Sequence, residues 1–197
     1  MSRDGDLVQI FARAPQPGRV KTRLIPALGA AGAARLHAQL LRRTLATVAS
    51  AGLPAELWVT PDGCHPLFRE AGLPCRLQQG ADLGARMQHA LSAGLARAAR
   101  VVLIGCDCPV LDGEYLAAAF AALETHDAVL GPAEDGGYVL IGLRRPAAVF
   151  DGIEWGGERV LAQTRARLAA AGLAWRELDT LWDVDRPADL VRWRQKL

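Results

Sequence analysis

Two hydrophobic periods organise this chain. Short apolar runs bounded by glycine, proline or polar turns occur at 7–12, 55–60, 101–104, 126–131 and 139–143, with shorter ones at 75–78 and 175–178. Unbroken runs of this length read as strands, buried on both faces where no polar residue interrupts them. Between them lie segments with helical spacing. In 29–50, Leu36, Leu40, Leu41, Leu45 and Val48 make one apolar stripe, and Gly52 and Pro54 stop the helix. Further helices are expected at 66–71, 85–100, 112–123 and within 153–171. A last one is expected after Pro187 and Asp189. Strands and helices alternate without internal repeats, which predicts an α/β fold, a three-layer α/β/α sandwich with a mostly parallel sheet. No linker interrupts the pattern, so residues 1–197 read as one domain.

One run stands at the centre of this pattern. V-V-L-I-G-C-D-C-P, 101–109, carries a buried strand straight into Asp107. In open α/β sheets ligands bind at the carboxyl ends of the strands. Asp107 is therefore the first candidate for chemistry.

Composition narrows the class. Half the residues are hydrophobic and 22% are charged, a globular balance. No apolar run reaches the ~18 residues of a membrane span. M-S-R-D-G-D-L at the start has acids and no apolar core, so no signal peptide is expected, and the expected location is the cytoplasm. Cys64, Cys75, Cys106 and Cys108 lack C-x-x-C spacing and paired histidines, which argues against a zinc site. C-x-C at 106 and 108 suits a soft metal, but small buried residues at a strand end are the expected reading.

The net charge of +2 does not suggest nucleic acid, but its distribution is uneven. Between Asp6 and Glu56 there are seven cations and no acid: Arg13, Arg19, Lys21, Arg23, Arg35, Arg42 and Arg43. Between Arg100 and Arg144 there are seven acids and no cation: Asp107, Asp112, Glu114, Glu124, Asp127, Glu134 and Asp135. One stretch suits phosphate and the other a divalent cation, so a metal-bound nucleotide satisfies both. Arg35, Arg42, Arg43, Glu124 and Asp127 are expected on solvated helix faces, and His37 on the surface; His89 shows no partner.

Several loops carry candidate residues. A-R-A-P-Q-P-G-R-V-K-T-R-L, 12–24, follows the first strand with four cations on a Pro- and Gly-shaped loop, which suits a polyphosphate. It lacks the Walker spacing. Gly80 and Gly84 permit close backbone approach to a ligand, and Asp82 between them is either a ligand residue or a helix cap. Glu134 and Asp135 are adjacent acids before Gly136, Gly137 and Tyr138, at a sheet end. Asp183 and Asp185 alternate in W-D-V-D, so in an extended segment they point the same way or serve as helix-entry caps.

Taken together, A-R-A-P-Q-P-G-R-V-K-T-R-L, G-C-D-C-P, G-P-A-E-D-G-G-Y-V-L-I-G-L and W-D-V-D-R-P-A-D-L resemble the GT-A, or nucleotide-diphospho-sugar transferase, superfamily. More closely, the chain resembles the bacterial DUF2064 family, whose members include proposed glycosyltransferases of arsenosugar biosynthesis. Molybdenum-cofactor and phospholactate guanylyltransferases share the layout. The resemblance implies a GT-A fold and a nucleotide site over Ala12, Arg13, Gly18, Lys21, Thr22 and Arg23, extended by Gly80, Asp82 and Gly84. It implies Mg²⁺ or Mn²⁺ on Asp107 with Asp183, and Asp185 as second choice. Gly136, Gly137 and Tyr138 would line the acceptor side. Two departures stand out: Cys106 where a small residue such as Ser is expected, and W-G-G-E-R where W-S-T-E-R is expected, without the hydroxyls at Gly156 and Gly157.

The chemistry implied is transfer from a nucleotide donor to a small acceptor. Asp107 holds the metal, Lys21 and the arginines offset phosphate charge, and Glu134 or Asp135 is the base. Attack at the sugar carbon makes a glycosyltransferase, the first reading. Attack at phosphorus makes a nucleotidyltransferase acting on a phosphorylated acceptor. A nucleotide-binding regulatory protein is the reading outside enzymes. No membrane or nucleic-acid partner is expected.

Overall fold

A computed structural model describes residues 5–195. The N-terminal stretch read as lacking a signal peptide falls partly on residues 1–4, outside the described residues. The described residues contain seven strands: β1 (Asp6–Arg13), β2 (Ala55–Thr60), β3 (Cys75–Leu77), β4 (Arg100–Ile104), β5 (Ala128–Pro132), β6 (Tyr138–Leu143) and β7 (Trp175–Glu177). They form one sheet in the order β3-β2-β1-β4-β6-β5-β7. The pairs β1–β2, β2–β3, β1–β4 and β5–β7 are parallel, while β6 runs antiparallel to β4 and β5. The sheet is thus mostly parallel, and β6 is its reversed strand. The reversal follows from the short loop after β5, since a parallel return needs a crossover of a dozen or more residues.

Helices cover both faces. α1 (Ile25–Ser50), α2 (Pro66–Glu70) and α4 (Gly113–Thr125) lie on one side. There Leu41, Val48, Phe68, Leu116 and Phe120 pack on Val8, Ile10, Leu57, Val102 and Ile104. α3 (Leu83–Leu95) and α5 (Val160–Ala170) cover the other. Met87, Leu91, Leu95, Leu161 and Leu168 pack there on Phe11, Trp58, Val101, Leu103 and Ile141. Alternate residues of β1 and β4 thus feed opposite cores, the period-two pattern of strands covered on both faces. A third cluster joins Leu24, just before α1, and Leu36 and Leu40, in the middle of α1, to Trp182, Val184 and Trp193. It draws the C-terminal segment and α6 (Asp189–Arg194) back against the loop after β1. Among the described residues no helix is long and apolar enough to cross a membrane.

Several local expectations shift. α5 begins at Val160, well inside 153–171, and its entry has no side-chain cap. α3 stops at Leu95, short of 100. His37 is not on the surface: it is 5% exposed, in the buried stripe of α1. His89 packs edge-on against Trp58, centroids 5.5 Å apart. Arg35, Arg42, Arg43 and Glu124 are exposed on helix faces, as expected, with Arg43 donating to the Pro109 carbonyl at 2.6 Å and Glu124 pairing with Arg100, whereas Asp127 is half-buried beyond the end of α4 and pairs with Arg145.

A carboxylate is buried in the core at Glu56 on β2, 2% exposed. Its carboxylate accepts from Gln9 Nε2 (2.9 Å), Trp58 Nε1 (2.8 Å), Arg76 Nε (2.8 Å) and Arg97 (2.9 and 3.0 Å). Burial alone would raise its pKa; these donors outweigh burial and hold it below the ordinary glutamate value.

Candidate active site

The sheet changes winding direction between β1 and β4, since β2 and β3 are laid down on one side of β1 and the strands after it, β4 to β7, on the other. That is the switch point where a crevice opens beyond the strand ends. A cavity of about 530 Å³ occupies it. Its floor is Ala12, Arg13, Gly105, Cys106 and Asp107; its apolar walls include Phe11, Leu83, Met87 and Trp155.

Asp107 and the basic loop meet directly. Lys21 Nζ lies 2.9 Å from Asp107 Oδ2, with the lysine side chain 4% and the aspartate 43% exposed. The same ammonium donates to the Val184 carbonyl at 2.6 Å. Val184 N in turn donates to the Asp107 carbonyl at 2.9 Å. The C-terminal segment is thereby stitched beside the β4 end, with Asp183 and Asp185 flanking the buried Val184. Lys21 adopts a left-handed backbone, φ 48°, the sole non-glycine positive φ among the described residues. Such a conformation costs on the order of 1–3 kcal/mol and persists where surroundings impose it. Here it turns the ammonium inward under the β4 end.

Charges in the crevice shape one another. Burial alone would push the Asp107 carboxyl up, but the neighbouring positive charge, Lys21 foremost, outweighs it and holds Asp107 well below the usual carboxylate range. Burial works against the Lys21 charge, and Asp107 more than offsets it, raising that pKa. Asp183 goes the other way: burial, then the nearby Asp135, push it up to about 6, against the opposing pull of Lys21. His37, which the sequence reading missed, holds its Nδ1 3.6 Å from Asp107 Oδ1 and its Nε2 3.0 Å from the Arg13 carbonyl. Its phase was the available signal, since 37 lies four residues before Leu41 on the apolar face.

The other expected residues divide into groups. Ala12, Arg13, Asp107, Asp135, Gly137, Tyr138 and Asp183 line the cavity. Arg23 does not; it pairs with Asp185, and both line a second recess of about 400 Å³ with Glu134 and Glu158. The two recesses share Asp135, Gly156, Gly157 and Asp183. Gly18 and Thr22 are exposed on the basic loop, outside the cavity lining. Neither Gly80, Asp82 nor Gly84 lines it; Leu83, Arg86 and Met87 do. Asp82 caps α3, accepting from Ala85 N at 2.8 Å. A Cβ on Gly84 would stand 2.7 Å from Trp155, so that glycine lets the helix meet the indole. Glu134 is held by Arg192 through both oxygens, at 2.6 and 3.1 Å. Asp135 accepts from Gly137 N at 2.9 Å and stays exposed.

Gly136 has φ +86°, and a Cβ there would lie 2.2 Å from the Glu158 carbonyl oxygen. Its own carbonyl accepts from Leu161 N at 2.9 Å, tying this loop to the first turn of α5. Gly136→Ala is expected to destabilise the protein by at least about 2 kcal/mol, through left-handed strain and backbone overlap together. Urea denaturation measures it. Gly156 also has positive φ, +84°, so serine is disfavoured there, whereas a Cβ on Gly157 meets no cavity atom closer than 3.8 Å. Backbone geometry therefore accounts for glycine at 156 and not at 157, and together the two glycines leave their part of the wall shared by the recesses without side chains.

Comparison with known proteins agrees with this architecture. The family described as an uncharacterized protein conserved in bacteria (DUF2064) matches residues 43–157. No curated protein matches the sequence. A crystal structure of a candidate nucleotide-diphospho-sugar transferase from Desulfovibrio desulfuricans G20 is 36% identical, with TM-score 0.86, over 99% of this chain and 88% of that one. CMP:2-keto-3-deoxy-manno-octonic acid synthetase, solved with CTP, is 14% identical with TM-score 0.61, over 98% of each chain. Rv0371c from Mycobacterium tuberculosis H37Rv, solved with manganese, is 21% identical with TM-score 0.58, over 97% of this chain and 98% of that one. The last two are similar in fold. The family match spans more than half of the sequence, and the first likeness is nearly end to end: this chain belongs to the DUF2064 family and has the fold of nucleotide-diphospho-sugar transferases and nucleotidyltransferases.

Proposed function

We propose that this protein is a metal-dependent transferase with a nucleotide donor, and that it transfers a glycosyl group from a nucleotide-diphospho-sugar. The observation that carries the reading is the buried Lys21 ammonium 2.9 Å from Asp107, in a crevice that also holds Asp183. The designation of the 36% identical structure supports the glycosyl form.

The donor set fits a hard divalent cation. Carboxylate oxygens suit Mg²⁺ and Mn²⁺. Asp183 is raised by burial and by the acids around it, and a divalent charge relieves that crowding. Asp107 and Asp183 would hold the ion, while Asp185 is already paired with Arg23. When bound, the ion supplies positive charge against the departing phosphate. Lys21 and Arg13 add to that charge from the loop side. The walls of Phe11, Leu83, Met87 and Trp155, with Gln78 and Arg86 as polar groups, suit a flat base with a few oriented contacts. The acceptor occupies the second recess, where Gly156 and Gly157 leave room. Asp135 is the better base: it faces both recesses, whereas Glu134 is engaged by Arg192. Nucleoside diphosphate leaves with its charge on phosphate as the acceptor oxygen attacks the sugar carbon.

Melting temperatures measured with nucleotides and nucleotide-sugars, with and without Mn²⁺, test the reading, because a ligand of the native state raises Tm. A Mn²⁺-dependent rise with a nucleotide-sugar is expected, followed by nucleoside diphosphate release on adding acceptor. Pyrophosphate release from a nucleoside triphosphate would instead assign nucleotidyl transfer. Binding without product, indifferent to Asp107→Asn, would assign a regulatory protein. No nucleotide response under either condition would refute all three. Asp183→Asn is expected to weaken Mn²⁺-dependent nucleotide binding by at least about tenfold, the scale of a disturbed metal site, and Asp185→Asn by much less.

A further inference from the structure

Asp107 presents different neighbours to its two oxygens. Oδ2 meets Lys21. Oδ1 faces His37 Nδ1 at 3.6 Å and Cys106 Sγ at 3.9 Å. One ligand atom from each of His37, Cys106 and Asp107 lies within 4.8 Å of the others. Tetrahedral zinc, with bonds of about 2.0–2.3 Å, sets its ligands roughly 3.3–3.7 Å apart. The three groups therefore stand within about an ångström of that arrangement.

The histidine is already oriented as a ligand. Its Nε2 meets a backbone carbonyl, which only accepts, so Nε2 carries the proton. Nδ1 is buried and has no hydrogen-bond partner, though it is aimed at the Asp107 carboxylate. In the neutral ring a lone pair there faces a carboxylate oxygen, an arrangement that a cation between them completes. A ring N–H on a backbone carbonyl is also the usual outer partner of a metal-bound histidine. All three residues line the 530 Å³ cavity, so an ion reaches them from solvent.

We propose that His37, Cys106 and Asp107 form a site for a thiophilic divalent cation, zinc foremost. Sulfur and imidazole donors select zinc over Mg²⁺, and three protein ligands leave one position open. On binding, the Cys106 thiol releases its proton to solvent as the sulfur–metal bond forms, and nothing is oxidised. The site does not depend on the transferase reading. On that reading, zinc takes Asp107 from the hard cation and inhibits.

The test uses the protein with its exposed Cys64 and Cys75 replaced by serine, titrated with Co²⁺ and then with Zn²⁺. A thiolate-to-cobalt charge-transfer absorption is expected, and Zn²⁺ should displace it. Cys106→Ser should abolish the band, Cys108→Ser should keep it, and His37→Gln should weaken both ions by at least tenfold. If Cys106→Ser fails to fold by circular dichroism, the parent and the Cys108→Ser variant still decide the matter. Failure of nucleotide binding alters none of these readouts. No band in the parent, a band lost with Cys108→Ser or kept with Cys106→Ser, or unchanged affinity in His37→Gln would overturn the proposal.

Discussion

On the proposed transferase reading, Asp107→Asn is expected to lower Mn²⁺-dependent turnover by at least about 10²-fold, the scale of losing a principal electrostatic element of an active site. The amide keeps the shape of the side chain and removes its charge. A second effect falls on Lys21, which is 4% exposed and loses its counter-charge. In a sealed interior an orphaned charge costs about 3–5 kcal/mol. Asp107 is 43% exposed, however, so water reaches the vacated side, and the Val184 carbonyl still accepts from the ammonium. A stability loss of about 1–2 kcal/mol is therefore expected. Asp107→Ala is the harsher variant, because it also empties the space beside the ammonium. Adding Lys21→Met to Asp107→Asn should restore stability and leave activity lost. Urea denaturation of the single and double variants measures the coupling. A double variant no more stable than Asp107→Asn would show that Lys21 does not need its partner to fold.

Glu56→Ala is expected to destabilise the protein by about 3–5 kcal/mol. Arg76 and Arg97 are each 45% exposed and can turn to water, so their release contributes little. Gln9 and Trp58 cannot; both are buried, and their donors are left without the carboxylate at about 1–3 kcal/mol each. The pH dependence has a definite sign. The folded pKa of Glu56 lies below its unfolded value, so its contribution is fully present above about pH 4.3, the unpaired glutamate value. It is lost as pH falls through the folded pKa. Chemical denaturation between pH 7 and pH 3 should therefore show a steeper acid loss in the natural protein than in Glu56→Gln.

Much of the crevice can be read from local order. A short apolar strand ending in Gly-Cys-Asp places Asp107 at a sheet end, because the run of buried apolar residues stops at Gly105. The basic loop reads from its cations and prolines. A cap, one of the two roles open to Asp82, reads from residue type at a helix start, and Asp82 accepts from Ala85 N. The reversed strand β6 was less visible, since an apolar run reads alike in either direction.

What the sequence determined by itself is the set of layers, the strand that ends in Asp107 and the membership of the acids and cations that surround it. Periodicity and turn chemistry are local, and they suffice for those. The tertiary structure decided which charges touch: Lys21 on Asp107, Arg23 on Asp185, Arg192 on Glu134, and His37 beneath the carboxylate beside Cys106. Those pairings join residues far apart in the chain: β1 pairing with β4 puts the basic loop and α1 beside Asp107, and packing of Trp182 and Trp193 on Leu24, Leu36 and Leu40 draws the C-terminal segment to them. No spacing rule encodes such a contact, because it is fixed by burial of apolar surface elsewhere.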